Sequence, residues 1–553
     1  MSHAKPPEGL PKIINKILVR GRPLKGSIIL AACLVTASSC EQASSPLEKA
    51  FEAVGGKQAL LDLKSFSYEA TGERFEPEEG ATPTADPEKA SAYTLAVSAD
   101  VENDRVSFDW EWEIIHPLRG QLAYRDVLDG DLGFRAGNDS VFDSVFNPAG
   151  ATTEAAIPSQ RIGGLRRELR LLNPQLYLRA AAVSEDVASI KPDIELDGRT
   201  HHVIEVSDVA VPVELFVDAE SGLVSKLQTL QNDHIWGDVV TEVSYGDWST
   251  AEGSPLMIPQ DAELAVADTT LRRETRTNVM VNLQFSADAF SIPDEPATQV
   301  DGAAMERGER SSQYHKRWQA MGIPADTDQT AVTATALAGD TEIQHMTGGS
   351  HHSLAVKMGD GIVVVEPPLN EARSRAVLNK IEELWPGVPV THLILTHSHF
   401  DHMGGIRTYA AIGATIVTSA LNRTYVEEAL NSPHTLVPDE LAAVAEAQWS
   451  IEEIPLGEEF SFEAGNRSIK AKHAQTVHAD DMLVVYLPEI RALFNSDLYF
   501  PGMAPSQPLP PPFGAWAQGL RDRIPELGWD IRMIIAGHAG IGTISDLHSH
   551  FEE

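Results

Sequence analysis

The sequence predicts an α+β protein with at least two domains, an antiparallel β-rich one followed by one that mixes strands and helices. At 553 residues the chain exceeds the usual size of a single domain, and its 42% hydrophobic content is enough for more than one core. Apolar and polar residues alternate through much of the first half, as in residues 108–112 and 202–206. Towards the C-terminus, short apolar runs end in histidines and aspartates, which predicts a site built on strand ends.

The first residues have the composition of an export signal. Residues 27–36 are mainly apolar, which is too short for the ~20 residues that a membrane-spanning helix needs. We therefore expect residues 1–39 to be a signal segment. Six basic residues precede this run: Lys5, Lys12, Lys16, Arg20, Arg22 and Lys25.

The end of this segment resembles a bacterial lipoprotein cleavage box. Residues 37–40, Ala-Ser-Ser-Cys, would make Cys40 the lipidated residue, with Cys33 as the alternative site and an ordinary signal as a third interpretation. The resemblance implies an exported, periplasmic protein that is anchored to a membrane through lipid. Because these are the only two cysteines, the exported part has no internal disulfide and no thiolate metal ligand.

Residues 40–296 are expected to form the β-rich domain. Residues 47–64 predict an amphipathic helix, and residues 213–227 predict a hairpin with Gly222 in its turn. We expect a curved antiparallel sheet. The region resembles the half-barrel of periplasmic lipoprotein carriers, through Gly55-Gly56 and residues 243–248, which would allow it to bind an apolar ligand. A structural sheet that shields the second domain is the alternative.

A polar linker is predicted at residues 297–330. Residues 292–296, Ile-Pro-Asp-Glu-Pro, end the strand pattern, and residues 313–321 predict a helix inside the linker. We place the domain boundary near Asp326 and the second domain at residues 331–553.

The net charge of −37 excludes one class of partner. A nucleic-acid backbone would be repelled by a protein of this charge, so we expect no nucleic acid and a small-molecule substrate instead. High solubility is the simplest meaning of the charge, and a preference for uncharged or cationic substrates is the alternative.

The most informative motif follows a short apolar strand at residues 391–396. On extended backbone, His397 and His399 point the same way, and Asp401 and His402 follow as the chain turns at Gly404-Gly405 into a predicted helix, residues 406–411. Four polar groups beside a buried strand would be poorly satisfied without a metal ion. The cluster therefore predicts a metal site.

This pattern resembles the signature of the metallo-β-lactamase superfamily over about residues 331–551, which implies an αββα sandwich. The resemblance implies that His397, His399 and His478 hold one ion and that Asp401, His402 and His538 hold the other, with Asp497 bridging them. His473 is the alternative to His478. It further implies two divalent ions, Zn²⁺ first and iron or manganese as alternatives, since all accept nitrogen and oxygen donors.

The resemblance implies a hydrolase in which metal-bound hydroxide is the nucleophile and Asp401 orients it. An ester, lactone, thioester or related bond is the expected target. Two alternatives stay open: a β-lactamase acting on the lactam ring, and a non-catalytic lipoprotein that binds an apolar ligand. Glu366 stands where the family often has a supporting aspartate. The residues expected to contact substrate are His351, His352, Tyr499, Phe513 and Trp516.

Overall fold

The computed structural model describes residues 44–141, 144, 153–208, 210–286, 288–293, 300–318, 329–502 and 509–551. Met1–Ser44 and Ser45–Glu553 are separate units, and the elements below belong to the second one. The predicted signal segment with Cys33 and Cys40, and the predicted boundary at Asp326, lie outside the described residues. Within the part of the chain that is described, no helix has the length and apolar character to cross a membrane.

The N-terminal region is one open antiparallel sheet of thirteen strands, as the alternating sequence pattern predicts. Their order is β6-β5-β4-β3-β2-β1-β13-β12-β11-β10-β9-β8-β7. The strands are β1 Ser65–Glu76, β2 Glu88–Asp100, β3 Arg105–Ile114, β4 Gly120–Asp129, β5 Leu132–Gly137, β6 Glu154–Ala156, β7 Ala188–Leu196, β8 Arg199–Val206, β9 Val213–Asp218, β10 Val224–Asp233, β11 Gly237–Thr250, β12 Met257–Val266 and β13 Thr269–Val281.

Among the described residues, the helices that accompany this sheet are α1 Pro46–Ala53, α2 Lys57–Leu61, α3 Ser159–Leu172, α4 Gln175–Val183 and α5 Gly302–Arg310. A 3₁₀ turn covers Glu185–Val187. Alternate strand residues such as Phe108, Trp110 and Trp112 join apolar residues of α1 to α4 in one hydrophobic cluster. The core of this region therefore lies between one face of the sheet and the helices.

The single helix predicted at residues 47–64 is wrong, because Gly55 and Gly56 separate α1 from α2. Both glycines have positive φ, +105° and +99°. A Cβ atom on Gly55 would lie 2.2 Å from the Pro255 carbonyl oxygen. The chain must pass that close to the β11–β12 connection, so glycine is needed there.

The helix predicted at residues 313–321 is present in the described part of that range as a π-helical turn, Tyr314–Trp318, and residues 319–321 lie outside the described part. Lys316 and Arg317 of this turn are buried. They pair with carboxylates of the sheet region, and Lys316 Nζ lies 2.8 Å from Asp233 Oδ2. The turn is therefore fixed to the N-terminal sheet by buried ion pairs.

Two mixed sheets form the C-terminal region. The seven strands of the first, in this spatial order, are β14 Thr333–Leu337, β15 Asp340–Thr347, β16 Ser353–Met358, β17 Gly361–Val365, β18 Val390–Ile394, β19 Thr415–Ser419 and β20 Ser450–Ile454. The six strands of the second are β21 Glu459–Ala464, β22 Arg467–His473, β23 Leu483–Leu487, β24 Ala492–Phe494, β25 Met533–Ile535 and β26 Ile541–Thr543. Strands β17 to β20 run parallel, as do β24 and β25.

Helices cover the outer faces of both sheets. They are α6 Glu371–Leu384, α7 Phe400–Met403, α8 Ile406–Ala411, α9 Arg423–Asn431, α10 Glu440–Ala443, α11 Phe513–Leu527 and α12 Ile544–Ser549, with a 3₁₀ turn at Ala420–Asn422. On β17, Val363 and Val365 pack towards the second sheet, whereas Ile362 and Val364 pack against α6 to α9. Helices α11 and α12 pack on the second sheet. The layers are therefore helix, sheet, sheet, helix, as predicted.

Candidate metal centre

The histidines and aspartates singled out in the sequence lie where strands end. Residues 397–402 follow β18, Asp497 follows β24, and His538 follows β25. His478 comes before β23, which pairs antiparallel with β24. The parallel neighbours β24 and β25 bring Asp497 and His538 to one edge of the second sheet. Residues 397–402 leave the first sheet, which packs against the second.

One group consists of His397, His399 and His478, all buried. One ligand atom from each lies within 4.8 Å of the others, and the Nε2 atoms of His397 and His478 are 3.3 Å apart. Two nitrogen ligands on a tetrahedral zinc ion stand about 3.3 Å apart when the Zn–N bonds are about 2.0 Å. The alternative His473 is elsewhere, with its Nε2 2.8 Å from the Ser419 hydroxyl.

A second group consists of Asp401, His402 and His538, together with His351. His402 Nε2 and His538 Nε2 are 3.1 Å apart, and His351 Nε2 lies 2.9 Å from Asp401 Oδ2. The sequence placed His351 at the mouth of the site among substrate contacts. The structure instead places it inside this ligand group, because the β15–β16 turn brings it over Asp401.

Asp497 lies between the two groups. Its Oδ2 atom is 3.0 Å from His402 Nε2 and 3.6 Å from His478 Nε2, and its Oδ1 atom is 3.3 Å from His538 Nε2. One carboxylate thus faces histidines of both groups, which is the position that a bridging ligand needs.

The donor set fits divalent cations. Two buried carboxylate oxygen atoms at the centre, Asp401 Oδ1 and Asp497 Oδ1, have no hydrogen-bond partner. Burying carboxylate oxygens in this way is costly unless a cation binds them. In addition, the nitrogen atoms of paired imidazoles point at each other across 3.1 and 3.3 Å, as ligands of a common ion do.

The two groups differ in charge when no ion is bound. Burial and the neighbouring His399 lower the pKa of His478 to about 3, and burial together with His402 holds the pKa of His397 well below its usual range. Burial opposes protonation of His538 too, but Asp497 and Asp401 raise its pKa to about 10. The first group therefore offers neutral imidazoles, whereas an ion at the second group must displace a proton.

Glu366 contacts the outer ring nitrogen of His402 in the second group, which is the supporting role that the sequence suggested. Its Oε2 atom lies 3.1 Å from His402 Nδ1, and its Oε1 atom accepts hydrogen bonds from the Thr396 hydroxyl at 2.6 Å and from the Ser496 hydroxyl. A carboxylate on the outer nitrogen of a ligating histidine fixes the ring and its tautomer. Nε2 of His402 is thereby turned towards Asp497 and His538.

The N-terminal sheet reaches the centre through the loop between β1 and β2, a contact that the sequence did not reveal. The His399 Nε2 atom lies 3.1 Å from the Gly80 carbonyl oxygen, and Glu79 Oε2 lies 3.9 Å from His399 Nδ1. Burial and the nearby Asp401 raise the pKa of Glu79 well above its usual range. No motif marks this loop, because its role comes from a partner more than 300 residues away.

Aromatic side chains also lie next to the histidines of the metal centre. The Trp516 ring centroid is 4.3 Å from that of His478, and that of Phe500 is 5.7 Å from His538. Phe513 packs between Phe500 and Trp516. Phe513 and Trp516 were predicted to contact substrate; Trp516 lies against His478 and Phe513 against Trp516, and the role itself stays a prediction.

Two further residues predicted to contact substrate make other interactions. The Tyr499 hydroxyl lies 3.2 Å from His550 Nε2. The His352 ring lies 4.9 Å from that of His345, and its backbone N–H donates to the Gly537 carbonyl at 2.7 Å.

The family comparison identifies this part of the molecule. A model of the metallo-β-lactamase superfamily matches residues 346–538. The chain thus contains a metallo-β-lactamase superfamily domain, and the matched segment begins in β15 and ends at His538.

Two curated proteins are similar to the same region. The subunit alpha of 2,4-dinitroanisole O-demethylase from Nocardioides sp. (strain JS1661) is 23% identical over 193 residues, which are 35% of this chain and 54% of that protein. Metallo-beta-lactamase type 2 from Bacillus cereus is 23% identical over 208 residues, 36% of this chain and 73% of that protein. The chain thus spans about half the length of the first relative. Among solved structures, a metallo-beta-lactamase from Pontibacter korlensis is 20% identical, covers 40% of this chain and 97% of its own, and has a TM-score of 0.30.

Proposed function

We propose that this chain is a dinuclear metal-dependent hydrolase that cleaves an ester, lactone, thioester or related bond of a small molecule. The observation that carries the proposal is Asp497, whose two oxygens face histidines of both ligand groups. A structural zinc site closes its coordination with four protein ligands and needs no shared carboxylate. The superfamily match over residues 346–538 supports the same class.

Each ligand residue has a role in this proposal. His397, His399 and His478 would hold one ion, and Asp401, His402 and His538 the other. When bound, the two ions supply an acidified water molecule and a Lewis acid for the substrate oxygen. In this proposal Asp401 also orients the attacking water, because a carboxylate oxygen can accept a hydrogen bond or a proton from it.

Zinc is the proposed metal, with iron and manganese as alternatives. The donors are imidazole nitrogens and carboxylate oxygens, and none of the described ligand groups contains a thiolate. All three metals accept such donors, so metal analysis of the protein as purified must choose between them.

A β-lactamase is the second candidate. It is favoured by the similarity to the Bacillus cereus protein named metallo-beta-lactamase type 2, of which the matched region spans 73%. The assay below includes a β-lactam so that this candidate is tested alongside the first.

The test is metal content per chain on purified residues 41–553, combined with a chelator-reversible assay. The probes are nitrocefin, a lactone, a thioester, a bis-phosphodiester and 2,4-dinitroanisole. We expect about two ions per chain and turnover of one probe that a chelator abolishes and added metal restores. A protein with neither metal nor turnover would reject the hydrolase in favour of the non-catalytic binding lipoprotein.

We also propose that the protein is exported and anchored through lipid at Cys40. The support is the basic segment, the short apolar run and the cleavage-box resemblance. Labelling with a radioactive fatty acid should be lost in Cys40→Ala and retained in the matched control Cys33→Ala. The reverse pattern would move the site to Cys33.

A further inference from the structure

His351 lies in the turn between β15 and β16, and backbone contacts hold this turn over the second ligand group. Gly348 has a φ of +107°, and a Cβ atom there would clash with the Ala331 carbonyl oxygen. Buried Arg373 donates to the same Ala331 carbonyl at 3.1 Å and to the His351 carbonyl at 3.0 Å. The side chain of His351 is only 2% exposed. The position of its imidazole ring is therefore fixed by the surrounding chain.

The outer nitrogen of the His351 ring has a hydrogen-bond partner, and the direction of that bond can be deduced. The Ser350 backbone N–H donates to Gln329 Oε1 at 2.8 Å, so this atom of the amide is the oxygen. The Ser350 hydroxyl lies 3.1 Å from the same oxygen and 2.7 Å from His351 Nδ1. Because the hydroxyl has a single proton and the amide oxygen has none, the hydroxyl donates to Gln329 and accepts from His351 Nδ1–H.

The inner nitrogen of the ring consequently faces a carboxylate oxygen. A neutral imidazole with its proton on Nδ1 has a lone pair on Nε2. His351 Nε2 lies 2.9 Å from Asp401 Oδ2, which is an acceptor as well. Two acceptors at this distance, shielded from water, repel each other unless they share a cation. A metal ion bound by both atoms removes the repulsion, and a second proton on the ring is the alternative.

The other contacts of Asp401 favour the metal ion. Its Oδ2 atom also lies 3.4 Å from His538 Nε2 and 3.5 Å from His402 Nε2. Donors around one ion stand about 3–3.5 Å apart when the bonds are about 2.0–2.2 Å long. His402 has the same arrangement as His351, with Nε2 towards the centre and its outer nitrogen 3.1 Å from the Glu366 carboxylate. An outer partner of this kind is typical of a metal-ligating histidine.

We propose that His351 is a further ligand of the second ion. This ion would then have one protein donor more than the first, because Asp497 is shared by both. The inference rests on the proposed dinuclear function, and it replaces the role in substrate contact that the sequence suggested for His351. The complete set of donors at the second position is His351, Asp401, His402, His538 and Asp497.

The test compares cobalt(II) binding by the wild-type protein, His351→Ala and His351→Gln. The Kd of the second cobalt ion should rise at least about 100-fold in both variants, because even an outer partner of a ligating histidine contributes about 10–100-fold. Gln keeps an N–H that can bond Asp401 but supplies no imidazole nitrogen. His352→Ala is the matched control, because this neighbouring histidine belongs to none of the ligand groups among the described residues. Its Kd should equal that of the wild type.

Proton NMR of the cobalt-saturated protein gives a second readout that does not depend on activity. The ring N–H of a histidine bound to cobalt gives a strongly shifted signal that disappears in D₂O. The wild-type spectrum should contain such a signal from His351, and His351→Ala should lose it. The control His352→Ala should keep every shifted signal of the wild type.

The outcomes separate the inference from the function on which it rests. An unchanged set of shifted signals in His351→Ala overturns the inference while leaving the dinuclear centre intact. Wild-type cobalt affinity in His351→Gln overturns it too, because His351 would then only hold Asp401 through a hydrogen bond from a protonated ring. A wild-type protein that binds fewer than two cobalt ions rejects the proposed function itself, and the inference falls with it.

Discussion

Buried charges are arranged in opposite ways in the N-terminal sheet and in the metal centre. In the sheet, Glu274 lies between two arginines, with its Oε1 2.7 Å from Arg276 Nη2, and Arg272 Nη1 lies 2.8 Å from Glu168 Oε1. Although burial alone would raise it, Arg272 and Arg276 lower the pKa of Glu274 to about 2. The sheet thus balances its buried carboxylates with permanent cations of its own chain.

The metal centre balances its carboxylates differently. Asp401 and Asp497 contact histidines, whose charge depends on protonation. Oxygen atoms of both remain without a hydrogen-bond partner. In the N-terminal sheet, arginines of the same chain neutralise the buried carboxylates. In the metal centre, a bound cation or protons must neutralise them. The difference separates structural from functional clusters in one molecule.

The largest expected effect is that of Asp497→Ala on activity. Removing the carboxylate shared by both ligand groups should abolish metal-dependent turnover, by about a thousandfold or more, since catalysis needs both ions. The N-terminal sheet should stay folded, because its buried charges have their own partners. Metal analysis and circular dichroism check the two halves of this prediction, and a variant with full metal content and activity would contradict it.

Glu274→Gln should have the next largest effect, and on stability rather than on metal. It leaves Arg272 and Arg276 buried beside a neutral side chain, which costs about 3–5 kcal/mol when one partner of a buried pair is removed. Metal content per folded chain should not change. Urea unfolding measures the loss.

The matched control for Glu274→Gln is Glu263→Gln. Glu263 pairs with Arg273 at 2.7 Å, but both side chains are about half exposed. We expect a loss of about 1 kcal/mol or less for such an exposed pair. Equal losses in the two variants would remove the distinction between the buried network and the surface pair.

Zinc should stabilise the C-terminal region alone. A free concentration one hundred times the Kd adds about 2.7 kcal/mol per site to the free energy of unfolding, because the ion binds the folded state. The gain, measured as the difference in urea unfolding with zinc and with a chelator, should be smaller in Asp497→Ala. The same gain in both proteins would indicate binding elsewhere.

The smallest effect is the pH dependence of metal affinity. Because the pKa of His538 is raised to about 10, this histidine is protonated at pH 7 in the metal-free chain, and an ion must displace that proton. Affinity should therefore rise with pH, by up to about tenfold per unit for each displaced proton, until about pH 10. Competition titration against a chelator between pH 6 and 8 measures the slope, and a flat profile would contradict the expectation. Glu274, with its pKa of about 2, should not titrate over this range.

Much of the fold and the ligand groups was predictable from local sequence pattern. Alternation over β3 predicts a strand because successive side chains point to opposite faces. The spacing of His397, His399, Asp401 and His402 predicts a metal site because extended backbone followed by a turn brings these groups together. The choice of His478 over His473 agrees with where the structure places the two rings.

Other features could not be predicted from the sequence, because they depend on contacts between distant parts of the chain. The break at Gly55 depends on the approach of Pro255, which no local pattern encodes. The place of His351 in the second ligand group depends on the β15–β16 turn lying over Asp401. The helix expected at residues 313–321 has π-helical geometry over Tyr314–Trp318, and the pairing of its Lys316 and Arg317 with Glu76, Glu78 and Asp233 could not be read from local sequence.

The sequence by itself therefore determined the alternation that makes the sheets, the chemical type of the ligands and their positions at strand ends. Only the tertiary structure decided that a loop of the N-terminal sheet lies against the metal centre, with the Gly80 carbonyl oxygen 3.1 Å from His399 Nε2 and Glu79 Oε2 3.9 Å from His399 Nδ1. The physical reason is the distance along the chain over which each effect acts. Strand periodicity and ligand spacing act over a few residues of chain, whereas the wall of an active site is set by which surfaces pack together after hundreds of residues have folded.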